Sequence, residues 1–165
     1  RADALDAFEK RLAYAQAHLD EPAICDRPPL WLLRPSLSEL SAADMESRRS
    51  LDAFIAAMPD TRISFARALA PKSERHFRLC ADEAACAAWA LPLEHTAGLP
   101  SARCVRVIHR FACQPWDDEA VPEILACAQK AGHAVRVDGE LFGLHLASET
   151  SEGKVFLYAA VYLPI

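Results

Sequence analysis

Two helical stripes of identical spacing, Leu51-Phe54-Ile55-Met58 and Val121-Ile124-Leu125-Ala128, lie about 70 residues apart. Each is an i, i+3, i+4, i+7 set, which puts four apolar side chains on one face of a helix. The same order of elements surrounds both. In the first half the pattern predicts a strand at "LWLLR", a helix in "SLSELSAADMESRRSLDAFIAAMPD", and strands at "TRISFARALA" and "HFRLCADE". In the second it predicts a strand at "ARCVRVIHRFAC", a helix in "WDDEAVPEILACAQKAGH", and strands at "DGELFGLHLAS" and "KVFLYAAVYLPI". Pro59 ends the first helix, and Gly132 supplies the left-handed residue after the second. A helix with such a stripe must cover neighbouring strands. The expectation is an α+β fold: a pseudo-twofold duplication of a strand-helix-strand-strand module, with halves of about 29–98 and 99–165, preceded by an N-terminal helix.

The last strand says what each face does. Leu157, Ala159, Val161 and Leu163 alternate with Phe156, Tyr158, Ala160 and Tyr162, and neither set carries a charge. The aliphatic set suits the underside of the helix, so the ring-bearing set meets the other half. Two open sheets facing one another would leave a groove, where Tyr offers an apolar body and a polar handle. Two halves packed shut would give the same pattern.

Before the first module, "RADALDAFEKRLAYAQAHLDE" carries Leu5, Phe8, Leu12, Ala15 and Leu19 at the a/d spacing of about two heptads. It reads either as a surface helix on its own domain or as the stub of a dimerisation helix. The chain starts at Arg1, which suggests an excised domain. A net charge of −5 argues against a grip on a phosphate backbone. Arg103, Arg106 and Arg110 read as solvated residues on mixed faces of a strand. No apolar run reaches membrane-spanning length and no signal peptide leads the chain, so the expected location is the cytoplasm. The six cysteines form no C-x-x-C and have no finger-spaced His, so no metal site is expected. They read as reduced, mostly buried thiols.

The order of motifs resembles the GyrI-like, or bacterial transcription activator effector-binding, domain over about 29–165. The likeness is clearest in "LPSARCVRVIHR", "ILACAQKAGHAV", "GELFGLHL" and "AAVYLPI". It implies a linker or dimerisation helix at 1–21 and an effector-binding domain at 22–165. The implied function is that of the small-molecule-binding domain of a MerR-type bacterial transcription regulator, not an enzyme. A drug-like aromatic or lipophilic ligand would lie between the halves, with no cofactor. Groove-lining candidates are Trp31, Phe65, Phe142, His145, Phe156, Tyr158 and Tyr162. DNA contact would come only through a winged helix-turn-helix preceding Arg1, in a homodimer. The sequence departs from the family where cation-sensing members bury a Glu, since Ala160 holds that register, and where a Gly gives way to Phe111. The alternatives are a hydrolase of reactive ring-containing compounds, with Glu94, Glu119 or Glu140 as its acid, and a toxin-antagonising protein-binding module.

Overall fold

The computed structural model describes residues 2–34, 45–57, 64–70, 77–112 and 119–165. The elements are α1 (Ala2–Ala17), β1 (Ala23–Arg27), β2 (Leu30–Leu33), α2 (Met45–Ala57), β3 (Ser64–Ala68), β4 (Arg78–Asp82), α3 (Glu83–Trp89), β5 (Thr96–Leu99), β6 (Ala102–Ala112), α4 (Ala120–Lys130), β7 (Glu140–Ser151) and β8 (Lys154–Pro164). The fold is α+β, and every expected strand and helix is present among the described residues. Three short elements are additions. β1 and β5 lie at the two edges of the sheet. α3 is an alanine-rich turn started by Asp82, whose carboxylate accepts from the Ala85 N–H at 2.8 Å.

The expected pair of facing sheets is instead one eight-stranded sheet, ordered β1-β6-β8-β7-β3-β4-β2-β5. The halves join where β3 pairs antiparallel with β7, from Phe65↔Gly143 to Ala68↔Glu140. Outward from that junction the order is β4 then β2 on one side, and β8 then β6 on the other.

Helices α2 and α4 cover one face. Leu51 and Phe54 of α2, and Val121, Ile124 and Ala128 of α4, share a core with Leu79, Val105, Val107, Ala159, Val161 and Leu163. The aliphatic side of the last strand thus lies under the helices, as its alternation predicts. The first stripe is narrower than expected, because Ile55 is 48% exposed. It stands about 100° around the helix from Phe54, beyond the line of contact. Met58 and the part of the expected helix segment before Met45 lie outside the described residues. Aromatic rings fill the helix-covered face near the junction. Phe65 stacks on Phe77 with centroids 5.2 Å apart and meets Phe111 edge-on at 6.0 Å.

The connections force the sheet to curl. β1 and β2 hold the first and seventh places in the order, yet only Pro28 and Pro29 join them. Three Cα–Cα steps reach at most about 11 Å, whereas six strand spacings of a flat sheet cover about 29 Å. Pro100 and Ser101 make the same jump between β5 and β6. Arg27, 4% exposed, clasps the two crossings together. Its Nη1 donates to the Pro28 carbonyl and its Nη2 to the Pro100 carbonyl, both at 2.9 Å. Ser101 Oγ returns a bond to the Arg27 carbonyl at 2.7 Å. The face enclosed by this curl, opposite α2 and α4, is the inner face.

Candidate functional site

Cross-strand partners share a face, so the pairing registers define what the inner face displays. One row runs Arg78, Ala66, Phe142, Tyr162, Arg106 across β4, β3, β7, β8 and β6. Two rings therefore sit side by side, with an arginine at either end and an alanine gap beside Phe142. Around the row a second core gathers Leu30, Leu32, Cys80, Cys104, Leu144 and Ala160. Burial holds the Tyr162 phenol above its ordinary pKa, and holds the Cys80 and Cys104 thiols protonated well above neutral pH. The Arg27 guanidinium opposes that shift at both cysteines. The five described cysteines are free thiols, and Cys113 lies outside the described residues.

The arginines are poorly satisfied. Arg27, Arg78 and Arg106 each bury an Nε that meets no acceptor. A buried donor left in that state costs about 1–3 kcal/mol. Arg27 also lies over the Phe142 ring, 4.7 Å from its centroid, a cation–π contact. Arg106 is 5.8 Å from the Tyr14 ring centroid of α1.

Among the described residues, two cavities open on this face. One, of about 370 Å³, lies beside the clasp between Arg27, Cys104, Phe142 and Pro164, with Arg103, Arg136 and Glu140 also on its lining. The other, of about 240 Å³, lies between Cys80, Asp82, Leu144 and Leu146 on the sheet, Ala84, Ala85 and Ala88 of α3, and Arg11 of α1.

Helix α1 packs on the inner face over β6, β7 and β8. Ala15, fully buried, packs with Ile108 and Tyr158, and Leu12, Leu19 and Leu146 close around them. Arg11 Nε donates to the Leu146 carbonyl at 3.3 Å, and Gln16 Nε2 donates to Glu149 Oε2 at 3.1 Å. At the N-terminal end of the helix Leu5 is 60% exposed. Beneath the helix, Tyr158 OH donates to Glu149 Oε1 at 2.6 Å, and Arg110 Nε donates to the same oxygen at 2.9 Å. Arg110 also stacks on Phe156, 3.6 Å from the ring centroid. The Tyr158 hydrogen bond is the main reason that the Glu149 carboxyl titrates below its ordinary range; Arg110 adds to it. A lowered carboxyl stabilises the fold above its unfolded-state pKa, and that contribution disappears as pH falls through the folded-state value. Tyr158→Phe is therefore expected to cost about 1–2 kcal/mol at neutral pH, shrinking toward acid. Urea denaturation followed across that range checks it, and a pH-independent cost contradicts the assignment.

The structure sorts the expected residues. Phe142, Phe156, Tyr158 and Tyr162 share the inner face, although α1 covers Tyr158 and Arg110 covers Phe156. Phe65 is on the opposite face, because its neighbour Ala66 pairs with Phe142. Trp31 also points away, since Leu30 and Leu32 flanking it belong to the inner core, and its ring lies over Gly98 at the sheet edge. His145 pairs with Ala159 of the helix-covered core; its Nε2 is 2.9 Å from Ser148 Oγ, and it borders the smaller cavity. Arg106 and Arg110 are half-buried rather than fully solvated as expected. They lie two residues apart on each side of Ile108, all on the inner face, while exposed Arg103 is 3.8 Å from Asp26. Glu140 lies on the inner face, where it lines the larger cavity. The clasp residue Arg27 carried no signal except its place before Pro28-Pro29.

No family model matches the chain, and no curated protein matches it. Among solved structures it is similar to the EcmrR C-terminal domain, at 11% identity and a TM-score of 0.47, covering 87% of this chain and 96% of that one. SAV2435 bound to tetraphenylphosphonium aligns at 10% identity and 0.46, over 87% and 93%. A Listeria innocua protein described as a hydrolase aligns at 10% and 0.44, over 93% and 98%. The structures this chain resembles thus include the C-terminal domain of EcmrR and a ligand-bound protein beside one described as a hydrolase.

Proposed function

We propose that the chain is a GyrI-like effector-binding domain of a bacterial transcription regulator, acting in the cytoplasm and taking a small aromatic ligand on the inner face. The observation that carries this reading is the side-by-side placement of Phe142 and Tyr162 next to a cavity of about 370 Å³. Helix α1 packs on the same face of the same sheet. A ligand that binds better to one placement of α1 than to another would shift the population of that placement. In a MerR-type arrangement the helix would lead to a DNA-reading domain and, through Leu5 and its neighbours, to a second subunit.

The facing of the side chains gives the test. For any aromatic ligand found by thermal shift, Phe142→Leu and Tyr162→Leu are expected to weaken binding by about tenfold or more, as removal of a stacked ring predicts. Trp31→Leu is expected to leave it unchanged. Equal losses at all three positions, or a loss at Trp31 alone, would rule the inner face out.

The hydrolytic reading needs an acid poised to give up a proton in such a cavity. Of the three candidates Glu140 borders an inner-face cavity; Glu149, which was not a candidate, is held ionised, the wrong state for a general acid. Glu94 lines a separate cavity of about 260 Å³ beside α2.

A further inference from the structure

The geometry points to an aromatic anion, carrying a carboxylate or similar acidic group, as the class of ligand taken by the larger inner-face cavity. This rests on the reading of the inner face as a ligand site and specifies its charge. The first observation is Arg27. Its guanidinium is almost wholly buried, lines the cavity and lies over Phe142. Its two Nη atoms are held by proline carbonyls, which are neutral acceptors, and its Nε has no acceptor. Among the described residues no carboxylate lies within ion-pairing distance of it. A buried cation in that condition attracts an anion more strongly than any exposed arginine can.

The second observation is the balance of charge around it. Arg103 and Arg136 stand on the same lining, where Glu140 is the one acidic side chain among the described residues; Arg103 also lies 3.8 Å from Asp26, and the last residue, Ile165, borders the cavity. On β6, Arg106 follows Cys104 by two residues on the same face and also buries an unpartnered Nε. The centre of β8 offers no opposing charge, because Ala160 and Tyr162 occupy it. The third observation is shape. Phe142 and Pro164 provide apolar walls for a ring, and Arg27, whose guanidinium lies over Phe142, is on the same lining. A ligand cation entering this cavity would meet like charge, and a neutral ring would leave the Arg27 guanidinium without a counter-charge.

The test uses three naphthalene probes of matched shape: naphthoate, naphthamide and a naphthylmethyl trimethylammonium. Calorimetric titration of the full chain is expected to show naphthoate binding at least about tenfold more tightly than naphthamide, with the cation weakest. Glu140→Gln removes the facing carboxylate and is expected to tighten naphthoate about two- to threefold. Arg27→Lys keeps the charge but loses the planar fork, and should cut the naphthoate-over-naphthamide preference at least about fivefold; Arg27→Met should abolish it. Circular dichroism checks folding, and if the methionine variant unfolds, the lysine and glutamine variants decide. A cation or amide that binds as tightly as naphthoate overturns the anion assignment while the ligand site stands. So does a preference unchanged in Arg27→Lys. Failure of all three probes to bind overturns the anion assignment and the ligand site together.

Discussion

Gly143→Ala is expected to destabilise the fold by about 3 kcal/mol or more, an unusually large effect for one added methyl group. Glycine in the middle of a strand normally weakens it, so its presence calls for a close approach. Here the approach is the Phe65 ring of the neighbouring strand. A Cβ built at Gly143 would stand 2.4 Å from two of its carbons. The ring cannot retreat. Phe65 is 1% exposed, stacked on Phe77 and met edge-on by Phe111. The position also lies at the pairing that joins the two halves of the sheet. Urea denaturation of Gly143→Ala alone, and in a Phe65→Leu background, separates the clash from a loss of backbone freedom. The smaller side chain is expected to relieve at least about 1 kcal/mol of the penalty as a coupling energy. A penalty identical in both backgrounds would contradict the packing.

Phe54→Ala is expected to cost about 3–5 kcal/mol, the range for deleting a fully buried aromatic side chain. Phe54 is 0% exposed and, among the described residues, is one of the two buried side chains by which α2 meets the sheet, the other being Leu51. Ile55→Ala, at the adjoining position of the same sequence stripe, should change stability by no more than about 0.5 kcal/mol. Equal losses at the two positions would mean that α2 presents a different face to the sheet.

That contrast shows how far periodicity reaches. The stripes at Leu51 and Val121 identify both helices and the side of the strands they cover, because helix spacing is a local property. The aliphatic face of β8 was legible for the same reason. Which rings share the other face was not. Phe65 and Arg67 alternate with Ser64 and Ala66, so neither side of β3 looks apolar, and only the pairing of Ala66 with Phe142 fixes the phase. Along β7 a bulge at Leu146 shifts the register between His145 and Ala147, which counting by twos cannot detect. Least legible of all was the curl. It follows from two short proline-bearing connections between strands six places apart, and sequence order does not reveal that distance. Arg27 meets the Pro28 and Pro100 carbonyls and the Phe142 ring through that curl, in a chain whose net charge is negative.

The most direct test is the structure of the chain crystallised with bound naphthoate. The inner-face account predicts the naphthalene ring against Phe142 in the cavity bounded by Pro164, with its carboxylate facing Arg27. A ring seated instead beside Trp31, or among Leu33, Ser50 and His95 next to α2, would contradict it.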